Sequence, residues 1–317
     1  WSYCRISISR TSATESEDDE HNDSWRPLLA VANAADPDPL RQRLRKLRET
    51  TDRSEEICEE LSRLAGDEQL QQQPPETLVL LSLAMRDHGL AEEAIAVLRK
   101  AHERFPDDFW VNLELASQLR QSEGDDVERL RFAAAAAALR PDSAAAANNL
   151  GIAMNALGKT DQAIACYRKA IQLAPDLPDP HNNLGNALYG LRKWPEAEAA
   201  YREAIRIKPD YPEALYGLGV VLDEQKRHAE AEAQFRETIR VKPDYARAHN
   251  GLGTALYDAA GKSPLGHPVL EKKLDEAVAF YRKAIELDSN SGIPHFNLGL
   301  VYLYRRNDLD NAVACYR

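Results

Sequence analysis

From residue 75 onward the apolar positions follow a helical period. Leu184, Leu188 and Leu191 are spaced i, i+4, i+7 and predict one helix face. Ala197, Ala200, Tyr201, Ala204 and Ile205 predict a face on the following helix. This two-helix text then recurs. Pro141, Pro175, Pro209 and Pro243 are each 34 residues apart. Tyr167-Arg-Lys-Ala-Ile returns in near-copies at Tyr201, Phe235 and Tyr281. A Leu-Gly pair returns at Gly151, Gly185, Gly219, Gly253 and Gly299, and alanine at Ala163, Ala197, Ala231 and Ala277. Small residues such as Gly185 and Ala197 let paired helices approach closely, and each proline closes a unit because it cannot continue a helix. Asp176, Asp210 and Asp244, directly after three of these prolines, are predicted to cap the next helix by accepting a backbone N–H.

These residues resemble the tetratricopeptide (TPR) repeat, a 34-residue helix–turn–helix unit with a Leu-Gly pair, a small alanine, an aromatic and a closing proline. The resemblance covers residues 75–317. It divides them into units 75–108, 109–143, 144–177, 178–211, 212–245 and 246–291, with a truncated unit at 292–317. The first two depart from the pattern, with Ser82 and Ala116 in the glycine slot. One hairpin cannot bury its apolar face alone, and stacked neighbours do so. The fold expected is therefore all-α, a TPR solenoid. The family implies a right-handed superhelix with a concave groove. Pro243 to Ser289 spans 46 residues, 12 more than the period. The extra text, roughly 260–272, carries two glycines and two prolines and is expected to form an exposed loop between the two helices.

Residues 1–23 are Ser/Thr-rich and then acidic, and are expected to be disordered. Residues 24–74 read as a helical linker or cap, with stripes Leu40, Leu44, Leu47 and Ile57, Leu61, Leu64 and a stop at Gly66. The stretch 23–145, above all Phe105-Pro-Asp-Asp-Phe-Trp-Val-Asn112, resembles the linker and TPR tail of bacterial serine/threonine protein kinases. Kinase motifs themselves do not occur in this chain, so that resemblance places a catalytic domain upstream of Trp1. Starting at Trp1 and ending at Arg317 inside a repeat, the chain reads as a fragment.

The net charge of −11 disfavours general affinity for nucleic acid or anionic membrane. No apolar run approaches the roughly 18 residues of a membrane span. Four scattered cysteines with no Cys-x-x-Cys argue against a zinc site or disulfide scaffold and fit a cytoplasmic setting. His181, His249 and His295 share one repeat slot, one per unit, and are expected to pack rather than converge on a metal. His88, His102, His228 and His267 are expected to be isolated and exposed. Tyr167, Tyr201, Phe235, Tyr281 and Tyr316 are expected in the repeat core.

No catalytic, metal or cofactor-binding set emerges. Asn149, Asn183 and Asn297, just before the Leu-Gly pair, resemble the asparagine ladder that holds peptide backbone in some TPR proteins, including the repeats of O-linked N-acetylglucosamine transferases. An Asn amide donates to and accepts from a main chain at once. Gly217 and Gly251 interrupt the ladder. The groove implied by the family adds Asn186, Tyr189, Tyr216, Asp223, Arg247, Asn250 and Tyr257. The expected function is a non-catalytic scaffold that binds a protein or peptide. Two alternatives follow from the resemblances: the docking tail of a kinase, or the repeat arm of a glycosyltransferase. Val301, Leu303 and Val313 in the truncated unit suggest self-association through terminal repeats.

Overall fold

The computed structural model describes residues 36, 38–50, 54–119, 126–260, 268–305 and 308–316. The expected disordered segment 1–23 lies outside them. All regular elements among the described residues are helices, and they fall into two compact units, Trp1–Gln162 and Ala163–Arg317.

The first unit carries α1 (Pro39–Glu49), α2 (Glu55–Gly66), the short α3 (Glu68–Gln71), α4 (Pro75–Asp87), α5 (Ala91–Arg104), α6 (Phe109–Gln118), α7 (Asp126–Leu139) and α8 (Ala144–Ala156). Side-chain caps open three of them. Asp38 accepts from the Arg41 N–H at 2.9 Å, Asp108 from Val111 at 2.9 Å and Ser143 from Ala146 at 3.2 Å. Each satisfies one of the four N–H groups a helix start leaves open. Proline opens α4, where a missing N–H costs nothing. The α4 helix is buried along Thr77–Met85 because α1, α2, α5 and α6 all pack on it. Leu44 of α1 and Leu61 of α2 join this core, with Leu40, Leu47, Ile57 and Leu64 half-buried beside it.

A polar network runs through the same core. Arg48 Nε donates to Asp87 at 2.9 Å, Arg86 lies 3.6 Å from Glu114, and the Gln118 amide donates to Ser82 Oγ at 3.4 Å. Burial, the largest influence, pushes the Glu114 carboxyl above its ordinary value of 4.5, against the lowering effect of Arg86. Two histidines depart from the sequence expectation of exposure. His88 is buried with Nε2 2.9 Å from the Leu47 carbonyl oxygen, which ties α1 to the end of α4. His102 stands edge-on to Phe132, ring centroids 4.8 Å apart. Both sit at helix positions that neighbouring helices cover, which periodicity along one helix does not reveal.

The helix α9 (Thr160–Leu173) spans the division between the units. The second unit continues with α10 (Pro178–Gly190), α11 (Trp194–Ile207), α12 (Pro212–Glu224), α13 (His228–Val241), α14 (Ala246–Ala260), α15 (Pro268–Leu287), α16 (Gly292–Arg305) and α17 (Leu309–Tyr316). These form antiparallel hairpins, and α12 also touches α10 and α14. Two hairpin turns place Arg192 (φ 57°) and Lys226 (φ 64°) in the left-handed region that the corresponding turns of the first unit and α8–α9 fill with Gly89 and Gly158.

Rings of the second helices lock into glycine sockets. A Cβ at Gly185 would lie 2.7 Å from the Tyr201 ring, and one at Gly217, on the next hairpin, 2.5 Å from it. Gly219 and Gly251 flank Phe235 in the same way, and Gly253 faces Tyr281. Gly217 and Gly251, which interrupt the asparagine ladder, are therefore the far walls of ring sockets. Tyr167, Tyr201, Phe235 and Tyr281 are all buried; the Tyr316 side chain lies outside the described residues. His181 and His249 bring Nε2 to 3.0 and 2.8 Å from the Pro175 and Pro243 carbonyl oxygens, so each joins a first helix to the turn that precedes it.

Several local expectations are corrected. Asp176 and Asp210 do not cap: the N-caps of α10 and α12 are Leu177 and Tyr211, without a side-chain cap, and Pro178 and Pro212 open the helices instead. The aspartates fall one residue too early in the turn to serve. Leu191 lies beyond the end of α10 and is exposed. Residues 268–272 are not loop, because Pro268 opens α15, which runs for 20 residues. Residues 261–267 of the insertion lie outside the described residues. Leu274 draws this lengthened helix inward, buried with Ala260 against Tyr257. Val301 is fully buried, while Ile293, Phe296, Tyr304, Leu309 and Val313 are the exposed apolar side chains near the end. No helix of the described residues is long and apolar enough to cross a membrane.

Candidate functional site

The predicted ladder residues are divided between the two units. Asn149 belongs to the first unit and donates to the Leu113 carbonyl oxygen at 3.5 Å, so its amide ties α8 to α6. The other nine predicted residues belong to the second unit. Asn183 is half-buried and already engaged. Asn186 is exposed, and its carbonyl oxygen accepts from the Tyr201 hydroxyl at 2.7 Å, which orients the socketed ring.

The structure does bring Asn250 and Asn297 together. The Asn297 amide donates to Asn250 Oδ1 at 3.0 Å, from α16 to α14. A second contact from the same amide reaches Thr254 Oγ1 at 3.5 Å. Both asparagines are half-buried. That bond uses the acceptor of Asn250 and a donor of Asn297. What remains is the Asn250 NH2 and the Asn297 Oδ1, one donor and one acceptor on adjacent helices. Nothing among the described residues pairs with either. The pair sits 47 residues apart in sequence, across the insertion, and a strict 34-residue register conceals it.

Aromatic side chains extend the face. The Tyr216 ring lies 5.5 Å from Tyr245 and 5.9 Å from Phe235, and Tyr189 lies 5.2 Å from Trp194. Burial is the main reason the hydroxyls of Tyr189 and Tyr216 titrate above their ordinary value, and it pushes Tyr245 up to about 12. These phenols stay neutral donors at any physiological pH. Tyr257 packs on Ala260 and Leu274. Trp194, Glu224 and Tyr245 were not singled out from sequence. Their signal is positional: Tyr245 and Tyr211 occupy the same slot, two residues after the closing proline. Tyr211 itself is buried and donates to Asp179 at 2.7 Å.

One polar cluster escaped the sequence reading. Asp223, predicted only as a groove residue, His228 and Asp258 bring their ligand-type atoms within 4.8 Å of one another. His228 was expected to stand isolated, yet its Nδ1 is 2.7 Å from Asp223 Oδ1. The three lie at the end of one first helix, the start of its second helix and the end of the next first helix. Only the hairpin turn and the stacking of repeats bring them together.

Three models of one repeat family match the chain. A tetratricopeptide repeat model matches residues 75–117, a second matches 182–240, and a TPR repeat model matches 153–191 and 269–303. No curated protein matches significantly. Among solved structures, a tetratricopeptide repeat protein from Parabacteroides merdae superposes with a TM-score of 0.55 at 17% identity, over 76% of this chain and 90% of its own. TTC0263, a thermophilic TPR protein of Thermus thermophilus, gives 0.51 at 21% identity, over 57% of this chain and 98% of its own. A monomeric mutant of IFIT1 with m7Gppp-AAAA gives 0.63 at 14% identity, over 82% of this chain and 62% of its own. At these identities the likeness concerns the fold. Repeat models, helical hairpins and glycine sockets agree, and the chain is a tetratricopeptide-repeat protein.

Proposed function

We propose that the second unit is a non-catalytic protein-interaction module that holds an extended segment of a partner protein against α10, α12, α14 and α16. The observation that carries this reading is the Asn250–Asn297 pair. Its leftover donor and acceptor match the C=O and N–H that an extended main chain presents, and a peptide bound there needs no particular sequence at that point. Tyr189 and Tyr216 supply the large, low-entropy contact area on which side-chain anchoring rests. Asp223, Glu224 and Asp258 give the lower part of this face an acidic character, which favours a basic residue in the bound segment.

Selection of a random peptide library on the whole chain, followed by fluorescence anisotropy of a selected peptide, tests the assignment. Asn250→Ala with Asn297→Ala is expected to weaken binding about tenfold, equivalent to ~1.4 kcal/mol. Asn149→Ala should leave the affinity unchanged. Undiminished binding by the double variant would reject the site. A finer reading attaches this module to a serine/threonine kinase as its docking tail. The Phe105–Asn112 text supports it, and its residues are structurally used: Asp108 caps α6, and Asn112 donates to the Pro106 carbonyl oxygen at 2.7 Å. The open reading frame upstream of Trp1 decides that point.

A further inference from the structure

We propose that Asp223, His228 and Asp258 form a binding site for one divalent first-row metal ion of the Zn2+ type, which pins the fifth repeat hairpin to the first helix of the sixth. This proposal shares Asp223 and Asp258 with the acidic part of the peptide-binding face but does not rest on the Asn250–Asn297 pair that carries that reading.

Three observations carry it. First, the donor set is one imidazole and two carboxylates, all within 4.8 Å of one another. Three ligands around a Zn2+ ion at ~2.1 Å stand about 3.4 Å apart, with a fourth position left for water. The 2.7 Å His228–Asp223 contact and the 4.8 Å span bracket that spacing, so rotation about the side-chain bonds is enough to close the set. Second, Asp258 is half-buried and has no hydrogen-bond or ion-pair partner among the described residues. Asp258 therefore stands beside a second carboxylate without a bonded partner of its own, and a divalent cation shared by the three side chains supplies one. Third, Asp223 and Asp258 both lie in the last turns of their helices, α12 and α14. The unpaired carbonyls at a helix C-terminus make that end negative and favour a cation.

The imidazole selects among cations. Mg2+ and Ca2+ take oxygen ligands, whereas a mixed imidazole–carboxylate set suits Zn2+ and its neighbours in the first row. On binding, the metal takes the place of the hydrogen between His228 Nδ1 and Asp223, and the imidazole stays neutral with its one proton on Nε2.

The whole chain, stripped with chelator, is titrated with Zn2+, with Mg2+ and with Co2+, using calorimetry and the visible Co2+ spectrum. One high-affinity Zn2+ equivalent is expected, with a rise in melting temperature. The Co2+ spectrum should lack thiolate charge transfer, which separates this site from the four cysteines. Mg2+ should have no effect at the same concentration. Asp258→Asn and His228→Gln should each weaken Zn2+ binding at least about tenfold, the loss seen even for outer-sphere partners of metal sites. In the metal-free state Asp258→Asn should fold at least as well as the parent, since it removes the uncompensated carboxylate, so loss of binding in that variant cannot be assigned to misfolding. Absence of Zn2+ binding by the parent, or binding of equal strength in both variants, overturns the proposal.

Discussion

The two units build the same kind of hairpin with different chemistry. In the second unit, Tyr201 and Phe235 each fill a socket walled by a glycine of their own hairpin and one of the next, Gly185 with Gly217 and Gly219 with Gly251. In the first two repeats, both in the first unit, the glycine slot holds Ser82 and Ala116, and the ring slot holds Leu98 and Phe132. In the first of these repeats the larger Ser82 accompanies the smaller Leu98, so the pair still fills the space, while Phe132 keeps the aromatic beside Ala116. What the first unit gains is polar: Ser82 becomes part of a buried chain with Gln118, Glu114 and Arg86. Repeat identity thus resides in the summed volume of two facing slots rather than in either residue alone, and volume-conserving exchanges are the ones a packed interior tolerates.

The comparison can be broken at the ring. Tyr201→Ala empties the socket and orphans Asn186, and is expected to destabilise the second unit by about 3–5 kcal/mol. Hydrogen exchange resolved by peptide should show the loss in α10, α11 and α12, with α4 to α6 unaffected. Equal loss in both regions would mean that the units do not differ in the way their packing suggests.

A smaller test sharpens it from the other side. Gly217→Ala sets a Cβ 2.5 Å from the Tyr201 ring, and should cost about 1–3 kcal/mol in urea unfolding despite the better helix propensity of alanine. Combined with Tyr201→Leu, which copies the first unit's smaller occupant, the cost should be largely recovered. Strict additivity of the two changes would refute the shared-volume account.

The smallest effect concerns the polar core of the first unit. Burial holds the Glu114 carboxyl above 4.5, so on raising the pH the unfolded chain loses this proton before the folded chain does. Its contribution to stability is therefore full below about 4.5 and falls as the pH climbs through the folded value. Glu114→Gln should flatten that fall in the first unit, read as a shift of melting temperature with pH. A parent protein whose stability is level across that range would show the carboxylate to be fully compensated by Arg86 and Arg48.

The repeat was legible because its determinants are local. The Leu-Gly pair, the alanine and the aromatic recur in register, and the period alone implies helices stacked as hairpins. Failures occurred where a partner came from another element. The burial of His88 depends on α1 reaching the end of α4. The Asn250–Asn297 bond crosses the insertion, which breaks the register used to align slots. Asp223, His228 and Asp258 occupy three different repeat slots, and their meeting depends on a turn geometry that no single helix encodes. Gly217 looked like a gap in an asparagine row because its role is set by a ring on the preceding hairpin.

That ring has a consequence for how such arrays are cut and joined. The Tyr201 socket has one wall inside its own hairpin and the other on α12. A chain trimmed after Ile207 would carry the aromatic but lose half of its seat, whereas one trimmed after Glu224 would keep both sides. The module suited to duplication, grafting or shortening thus runs from one second helix through the following first helix, offset by half a period from the hairpin that the sequence text marks out.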